Sequence, residues 1–277
     1  MSYEVKTKEK PAMEMAYLYD LYLVPMWREV FDQLVDEEVK LPQEGKILDA
    51  ECGTGGYAVE VSAKLGAKAE VIGVDSSPER LELARAKASV QYLKHIHFAQ
   101  GTLDALGQAD EDFDLVIGDA SMMEPEQIGA AFSELARVAK PGATVALKLT
   151  ARGSFDEFFS IYWEALHDLS LEELTPQLET LITERLTVTQ AEQLAKAAGL
   201  KHVRHVTHKQ EFDFSDAAAF LTSPLIETSF LDDWLKILPD AETARQARAA
   251  VFTIIDRERQ EMDFYVSIKA TLIIGQK

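Results

Sequence analysis

The segment Asp49-Ala50-Glu51-Cys52-Gly53-Thr54-Gly55-Gly56 follows the apolar pair Ile47-Leu48 and precedes a helical pattern. A glycine-rich turn at a strand–helix junction constrains the fold strongly. It calls for an α/β layer, and it brings bare backbone N–H groups close to a ligand at a helix N-terminus. Asp75 closes the next apolar run, Val71-Ile72-Gly73-Val74. An acidic residue at that place can take both hydroxyls of a ribose. These parts together predict a nucleoside-containing cofactor bound at the top of an α/β sheet.

Strand and helix signals alternate from this point, the pattern of a parallel sheet with right-handed crossovers. Strands are expected at about residues 46–50, 69–74, 95–99, 113–118 and 143–149. Gly66 stops the first crossover helix. Ser77-Pro78 opens the second, with an N-cap hydroxyl and a proline in the first turn. The helix that carries Ile128, Phe132, Leu135 and Val138 on one face ends at Lys140-Pro141-Gly142. Ahead of the sheet, residues 1–10 are polar and expected to fray. Met15, Leu18, Tyr22, Met26, Val30 and Leu34 then predict a helix over residues 12–39 that Pro25 breaks or kinks.

Beyond the fifth strand the pattern changes. Ser154-x-x-Glu157 and Thr189-x-x-Glu192 read as capping boxes, the first opening a helix with Phe158, Phe159, Tyr162 and Trp163. A sixth strand is expected at about 200–208. Residues 210–260 read as largely helical and carry Phe212, Phe214, Phe220, Phe230 and Trp234. Val266, Ile268, Ala270, Leu272 and Ile274 alternate as a last strand. The expected organisation is one domain over 1–277. It has an N-terminal helical segment (1–44), a cofactor-binding core (45–150) and two helical cap insertions (151–186 and 210–260). Segments 187–209 and 261–277 complete the sheet.

Three stretches carry a family likeness. Ile47-Leu48-Asp49-x-x-Cys52-Gly53-Thr54-Gly55 resembles the first motif of class I S-adenosylmethionine-dependent methyltransferases. Phe113-Asp114-Leu115-Val116-Ile117 is similar to their fourth strand. Arg137-Val138-Ala139-Lys140-Pro141-Gly142-Ala143 is similar to the segment entering their fifth. The resemblance is close over about residues 40–150. It implies a Rossmann-like, doubly wound, seven-stranded sheet, mostly parallel, with an antiparallel last strand between strands five and six, and a helical cap. It implies S-adenosyl-L-methionine as cofactor and methyl transfer to a small-molecule acceptor. Two alternatives stay open. Gly53-x-Gly55-x-x-Ala58, with Asp75 about 20 residues on, also fits the dinucleotide fingerprint of NAD-dependent oxidoreductases. A cofactor-binding protein of this fold without methyl transfer is the other.

The resemblance places the cofactor against Gly53 and Gly55, with Asp49 orienting the loop and Asp75, beside Ser76, on the ribose. Thr102 and Leu103 stand where the family contacts adenine, without the usual acidic residue. Asp119 follows the fourth strand at the mouth of the cleft. Tyr19 and Tyr22 lie on an N-terminal helix that closes over the cofactor in related enzymes. Glu51 departs from the pattern, which has glycine there. Its side chain intrudes on the cofactor, grips its ammonium group or strains the turn. Methyl transfer from a sulfonium needs positioning more than a catalytic residue. Asp119 and His167 are the acid–base candidates. Met122 and Met123 are candidates to line an acceptor pocket, and Phe159, Trp163 and Phe220 to face the reacting centre from the cap. The segment Asp119-Ala120-Ser121-Met122 lacks the Asn-Pro-Pro-Tyr signature of amino-group methylation on nucleobases.

Composition narrows the partners. A formal net charge of −19 argues against nucleic acid or an anionic membrane as substrate. One cysteine makes no internal disulfide, and no apolar run is long enough to span a bilayer. A cytoplasmic enzyme acting on a small apolar or aromatic acceptor is expected. His202, His205 and His208 are not read as a metal site. Residues three apart on a strand face opposite ways, and the outer two lie roughly 20 Å apart.

Overall fold

The computed structural model describes residues 11–259 and 264–277. The expected fraying of residues 1–10, and the start of segment 261–277, lie outside them. Five strands follow as the sequence predicts. They are β1 (Gly45–Ala50), β2 (Ala69–Asp75), β3 (Ile96–Gln100), β4 (Phe113–Asp119) and β5 (Ala139–Ala151). Helices lie between them except between β3 and β4, where residues 101–112 form no helix. The crossover helices are α3 (Gly56–Leu65), α4 (Pro78–Val90) and α5 (Ile128–Val138). Two long strands, β6 (Lys201–Asp213) and β7 (Tyr265–Gln276), complete the sheet in the order β3-β2-β1-β4-β5-β7-β6. All neighbours among the first five are parallel, and β7 runs antiparallel to both β5 and β6.

Helices cover both faces, so the central strands are apolar on both sides. One face packs α5 and α8 (Val188–Ala197) on Leu48, Val116, Leu147 and Ile273. The other carries α3, the N-terminal helices and the cap. The N-terminal run is α1 (Ala12–Leu18), a π-helical segment (Tyr19–Arg28) that contains Pro25, and α2 (Glu29–Glu38). The proline is thus absorbed by looser π winding rather than by a break. The cap is α6 (Asp156–Asp168), α7 (Thr175–Thr183), α9 (Ala217–Leu221), α10 (Pro224–Ser229), α11 (Leu231–Leu235) and α12 (Ala241–Arg259). Trp27, Phe155, Phe158, Phe220 and Trp234 join cap, N-terminal helix and sheet in one continuous core.

Some boundaries differ from the sequence reading, each for a local reason. α5 ends at Val138, and Lys140-Pro141-Gly142 already belongs to β5, where Lys140 pairs with Asp114 at 2.7 Å. β6 runs on to Asp213 because β7 pairs with it throughout, as far as Tyr265. Its mostly exposed side chains carry no apolar alternation to announce that length. Thr187, not Thr189, caps α8, in a reciprocal box with Gln190. Glu192 instead bonds His205 at 2.8 Å. Ser154 and Glu157 form no capping box either. Ser154 Oγ accepts from the Lys269 amide, and Glu157 accepts from the Ser267 amide and hydroxyl, so both pin α6 to β7. Among the described residues no helix is long and apolar enough to cross a membrane.

Candidate active site

Strand order reverses between β1 and β4, and the carboxyl ends of the strands there open the crevice where such sheets bind ligands. Three buried aspartates mark it: Asp49 in β1, Asp75 ending β2 and Asp119 ending β4. The turn after β1 takes the shape its glycines allow. Gly53 and Gly55 have φ of 59° and 73°, and Glu51 adopts 58°, a conformation that costs a side chain about 1 kcal/mol or more. A Cβ on Gly53 would meet the Tyr19 hydroxyl at 2.8 Å, so only glycine leaves room there.

Asp75 is fully buried and engaged. Its Oδ2 accepts from the Gly53 amide at 2.8 Å, its Oδ1 from the Ser77 amide at 2.9 Å, and Arg80 Nη2 lies 2.9 Å from Oδ1. Arg80 also reaches Ser76 Oγ and lies over the Tyr19 ring, 4.9 Å from its centroid. Burial beside these groups pushes the Tyr19 hydroxyl up to about 12. Tyr19 therefore sits on the glycine turn, whereas Tyr22 is exposed to solvent. Thr102 is exposed in a tight turn with Ala105, and Leu103 is wholly buried in the core beneath β4.

A charge cluster lies behind the turn. Arg28 Nη1 pairs with Asp119 Oδ2 at 3.2 Å, and its other amino group donates to the Glu51 carbonyl. Lys148 is fully buried on β5. It pairs with Asp32, lies 4.0 Å from Asp119 and faces the Tyr57 ring. Burial alone would raise the Asp119 carboxyl, but Arg28, Lys148 and two bonds from Ser121 hold it below the usual range. It is a fixed anion and a weak proton acceptor. Asp49 differs, for neither of its oxygens has a hydrogen-bond partner. Burial raises it to about 6 against the pull of Lys148 and Arg28. Glu51 is raised to about 7, by burial and then by the charge of Asp75. Cys52 is pushed well above the usual thiol range by burial, so it is no nucleophile.

Glu51, Asp119, Arg28 and Arg80 share a cavity of about 240 Å³ with Ser121, Met122 and Met123. Ser121 is tied to the core through Trp27, whose Nε1 donates to its hydroxyl at 2.9 Å. A second cavity of about 500 Å³, lined by Met15, Leu18, Leu23, Thr228 and Ser229, adjoins the first and shares Tyr19, Arg80 and Met122 with it. The cap aromatics expected at the reacting centre are elsewhere. Phe220 packs on Phe158, Phe214 and Phe264. Phe159 and Trp163 line an open groove with His167, whose side chain is 71% exposed. The sequence reading missed Arg28, Arg80 and Lys148. Lys148, a charge inside the apolar run Val145-Ala146-Leu147-Lys148-Leu149, was the available signal.

A family model described as a methyltransferase domain matches residues 47–142. Over that stretch the chain is similar to methyltransferase domains. Demethylmenaquinone methyltransferase from Lactococcus lactis is 34% identical over 122 residues, 43% of this chain and 48% of that protein. The same enzyme from Chlorobaculum parvum is 33% identical over 126 residues, 46% and 49% of the two chains. The chain thus spans about half the length of the curated relatives it matches. The Bacillus subtilis YcgJ protein shares the fold, with 19% identity, 90% of this chain and 98% of that one covered, and a TM-score of 0.56. So does Haemonchus contortus phosphoethanolamine N-methyltransferase 2, solved with S-adenosyl-L-methionine. It shows 14% identity, coverage of 98% and 58%, and a TM-score of 0.56.

Proposed function

We propose that this chain binds S-adenosyl-L-methionine and transfers its methyl group to a small-molecule acceptor with an apolar body. The observation that carries the reading is the glycine turn with Asp75 bonded directly to its Gly53 amide, inside the stretch that matches the family model. The residues fit the cofactor. Gly53 is a cradle that a Cβ would fill, and Asp49 is a buried carboxylate with both oxygens unpartnered. Gly53, Gly55, Asp75 and Asp49 would hold it, with Tyr19 and Ser76 at the edge, Thr102 and Leu103 toward the base, and Glu51 at the turn. When bound, it supplies an electrophilic methyl group and a neutral thioether leaving group. The chain's own work is to aim the acceptor and exclude water. Met122, Met123 and Leu23 offer apolar contact, and Asp119, fixed by Arg28 and Ser121, offers a hydrogen-bond acceptor that would orient a hydroxyl or amine without taking its proton. The quinone precursor named for the relatives is the first acceptor to try. A cytoplasmic location accords with this chemistry.

Isothermal titration with S-adenosylmethionine, S-adenosylhomocysteine and NAD tests the cofactor, and transfer of a labelled methyl group tests the reaction. Binding of the two sulfur compounds and not NAD is expected. NAD binding alone would overturn the reading. A second reading, cofactor binding without transfer, is favoured by Glu51 at φ 58° in the turn. It predicts binding with no transfer to any acceptor.

A further inference from the structure

We propose that Arg80 is a placeholder on Asp75, and that Glu51 receives its guanidinium when the cofactor enters. This rests on the reading of the cleft as an S-adenosylmethionine site. A carboxylate offers about four lone-pair sites. Asp75 accepts two hydrogen bonds, its Oδ2 from the Gly53 amide and its Oδ1 from the Ser77 amide, and Arg80 Nη2 stands 2.9 Å from the same Oδ1 as an ion pair. A ribose diol requires the other two, one on each oxygen, and the guanidinium beside Oδ1 stands in the way of the second. The two amides are fixed, one by the turn after β1 and one by the first turn of α4. Arg80 is the side chain among the three and is 23% exposed, so a rotation toward solvent releases it. It lies on Tyr19, which lies on Gly53, so both must move together to clear the turn. Tyr19 and Arg80 also belong to the walls shared by the two cavities, and their withdrawal joins about 240 Å³ to about 500 Å³.

The destination follows from the remaining carboxylates of the smaller cavity. Asp119 is committed to Arg28, and Glu124 is exposed at the rim. Glu51 lines the same cavity as Arg80, is half-buried, and has no hydrogen bond or ion pair from its carboxylate among the described residues. Burial and the charge of Asp75 raise its carboxyl, while Arg80 already pulls it down through space. The strained φ of Glu51 then has a reason. The position keeps a carboxylate because Arg80 must be neutralised once Asp75 is taken by the ribose.

The test is a double-mutant cycle read as cofactor affinity by titration calorimetry, on the full chain and on Arg80→Gln, Arg80→Lys, Glu51→Gln and the Arg80→Gln/Glu51→Gln pair. Circular dichroism checks that each variant is folded. Glu51→Gln alone should weaken S-adenosylmethionine binding about tenfold, the worth of one charge-assisted pair. Arg80→Gln alone should bind as tightly as the parent or more so, since it removes the competitor for Asp75. In that background Glu51→Gln should change affinity by less than about twofold. Arg80→Lys should restore the dependence on Glu51. Equal effects of Glu51→Gln in both backgrounds, or weaker binding by Arg80→Gln, would overturn the proposal. No binding by the parent chain would overturn the cofactor reading beneath it.

Discussion

Replacing Asp49 by asparagine removes a charge that burial makes costly. The side chain is 2% exposed, and burial raises its pKa from 3.8 to about 6. A raised value means that the folded chain holds this proton more tightly than the unfolded chain. The stability Asp49 contributes is therefore complete below about pH 4 and is lost as pH rises through about 6. The gap between 6 and 3.8 is 2.2 units. At about 1.4 kcal/mol per unit, the loss is about 3 kcal/mol by pH 7.5. Asparagine has nearly the same shape and no charge, so Asp49→Asn escapes the loss. Urea unfolding followed by circular dichroism should show the variant more stable than the parent by about 2–3 kcal/mol at pH 7.5, and nearly equal to it at pH 4. Affinity for S-adenosylmethionine, a cation overall, should fall in the same variant. A variant less stable than the parent at pH 7.5 would refute the reasoning, as would the same gain at both pH values. Either result would mean that Lys148 and Arg28 fully compensate the Asp49 charge in the fold.

Three further outcomes follow from the same geometry. Asp75→Ala should weaken S-adenosylmethionine binding at least about tenfold in calorimetry while the far-ultraviolet spectrum stays native; undiminished affinity would remove Asp75 from the site. Phe158→Ala should cost about 3–5 kcal/mol in urea unfolding, because Phe158 stacks on Trp234 at 4.2 Å and touches Phe159, Tyr162 and Phe220; a loss under about 1 kcal/mol would show that the cap is not part of the folded core. Trp163→Ala should leave cofactor affinity unchanged, since Trp163 lines the outer groove with His167; a drop of tenfold would return it to the site.

The sheet was legible because its signals are local. Glycine at the turn after β1, Ser77-Pro78 at the head of α4 and the alternation of β7 each follow from backbone requirements that nearby residues announce. The candidate site was legible only where it coincides with those signals, at the turn that Gly53, Gly55 and Asp75 shape. Arg80 and Arg28 act across 5 and 91 positions of sequence, on Asp75 and Asp119 respectively, and nothing local marks such pairings. The aromatics of the cap misled for a related reason. An aromatic run tells that a helix buries a face, not which neighbour receives it. Phe220 is committed to the cap core by Phe158 and Phe264, residues 62 and 44 positions away.

The sheet has two outer edges and treats them differently. At one end β3 is five residues long, too short to template another strand well. At the other, β6 offers thirteen residues with one side unpaired among the described residues, the length over which it follows β7 out to the cap. Such an edge invites a foreign strand, and with it aggregation. This one is studded with Lys201, Arg204 and Lys209 in an otherwise acidic chain, and most of its side chains are exposed. Each incoming strand would have to bury those cations or push them aside. The reach that lets β6 support the cap also leaves a long margin of the sheet open, and the charged side chains along it disfavour the addition of another strand.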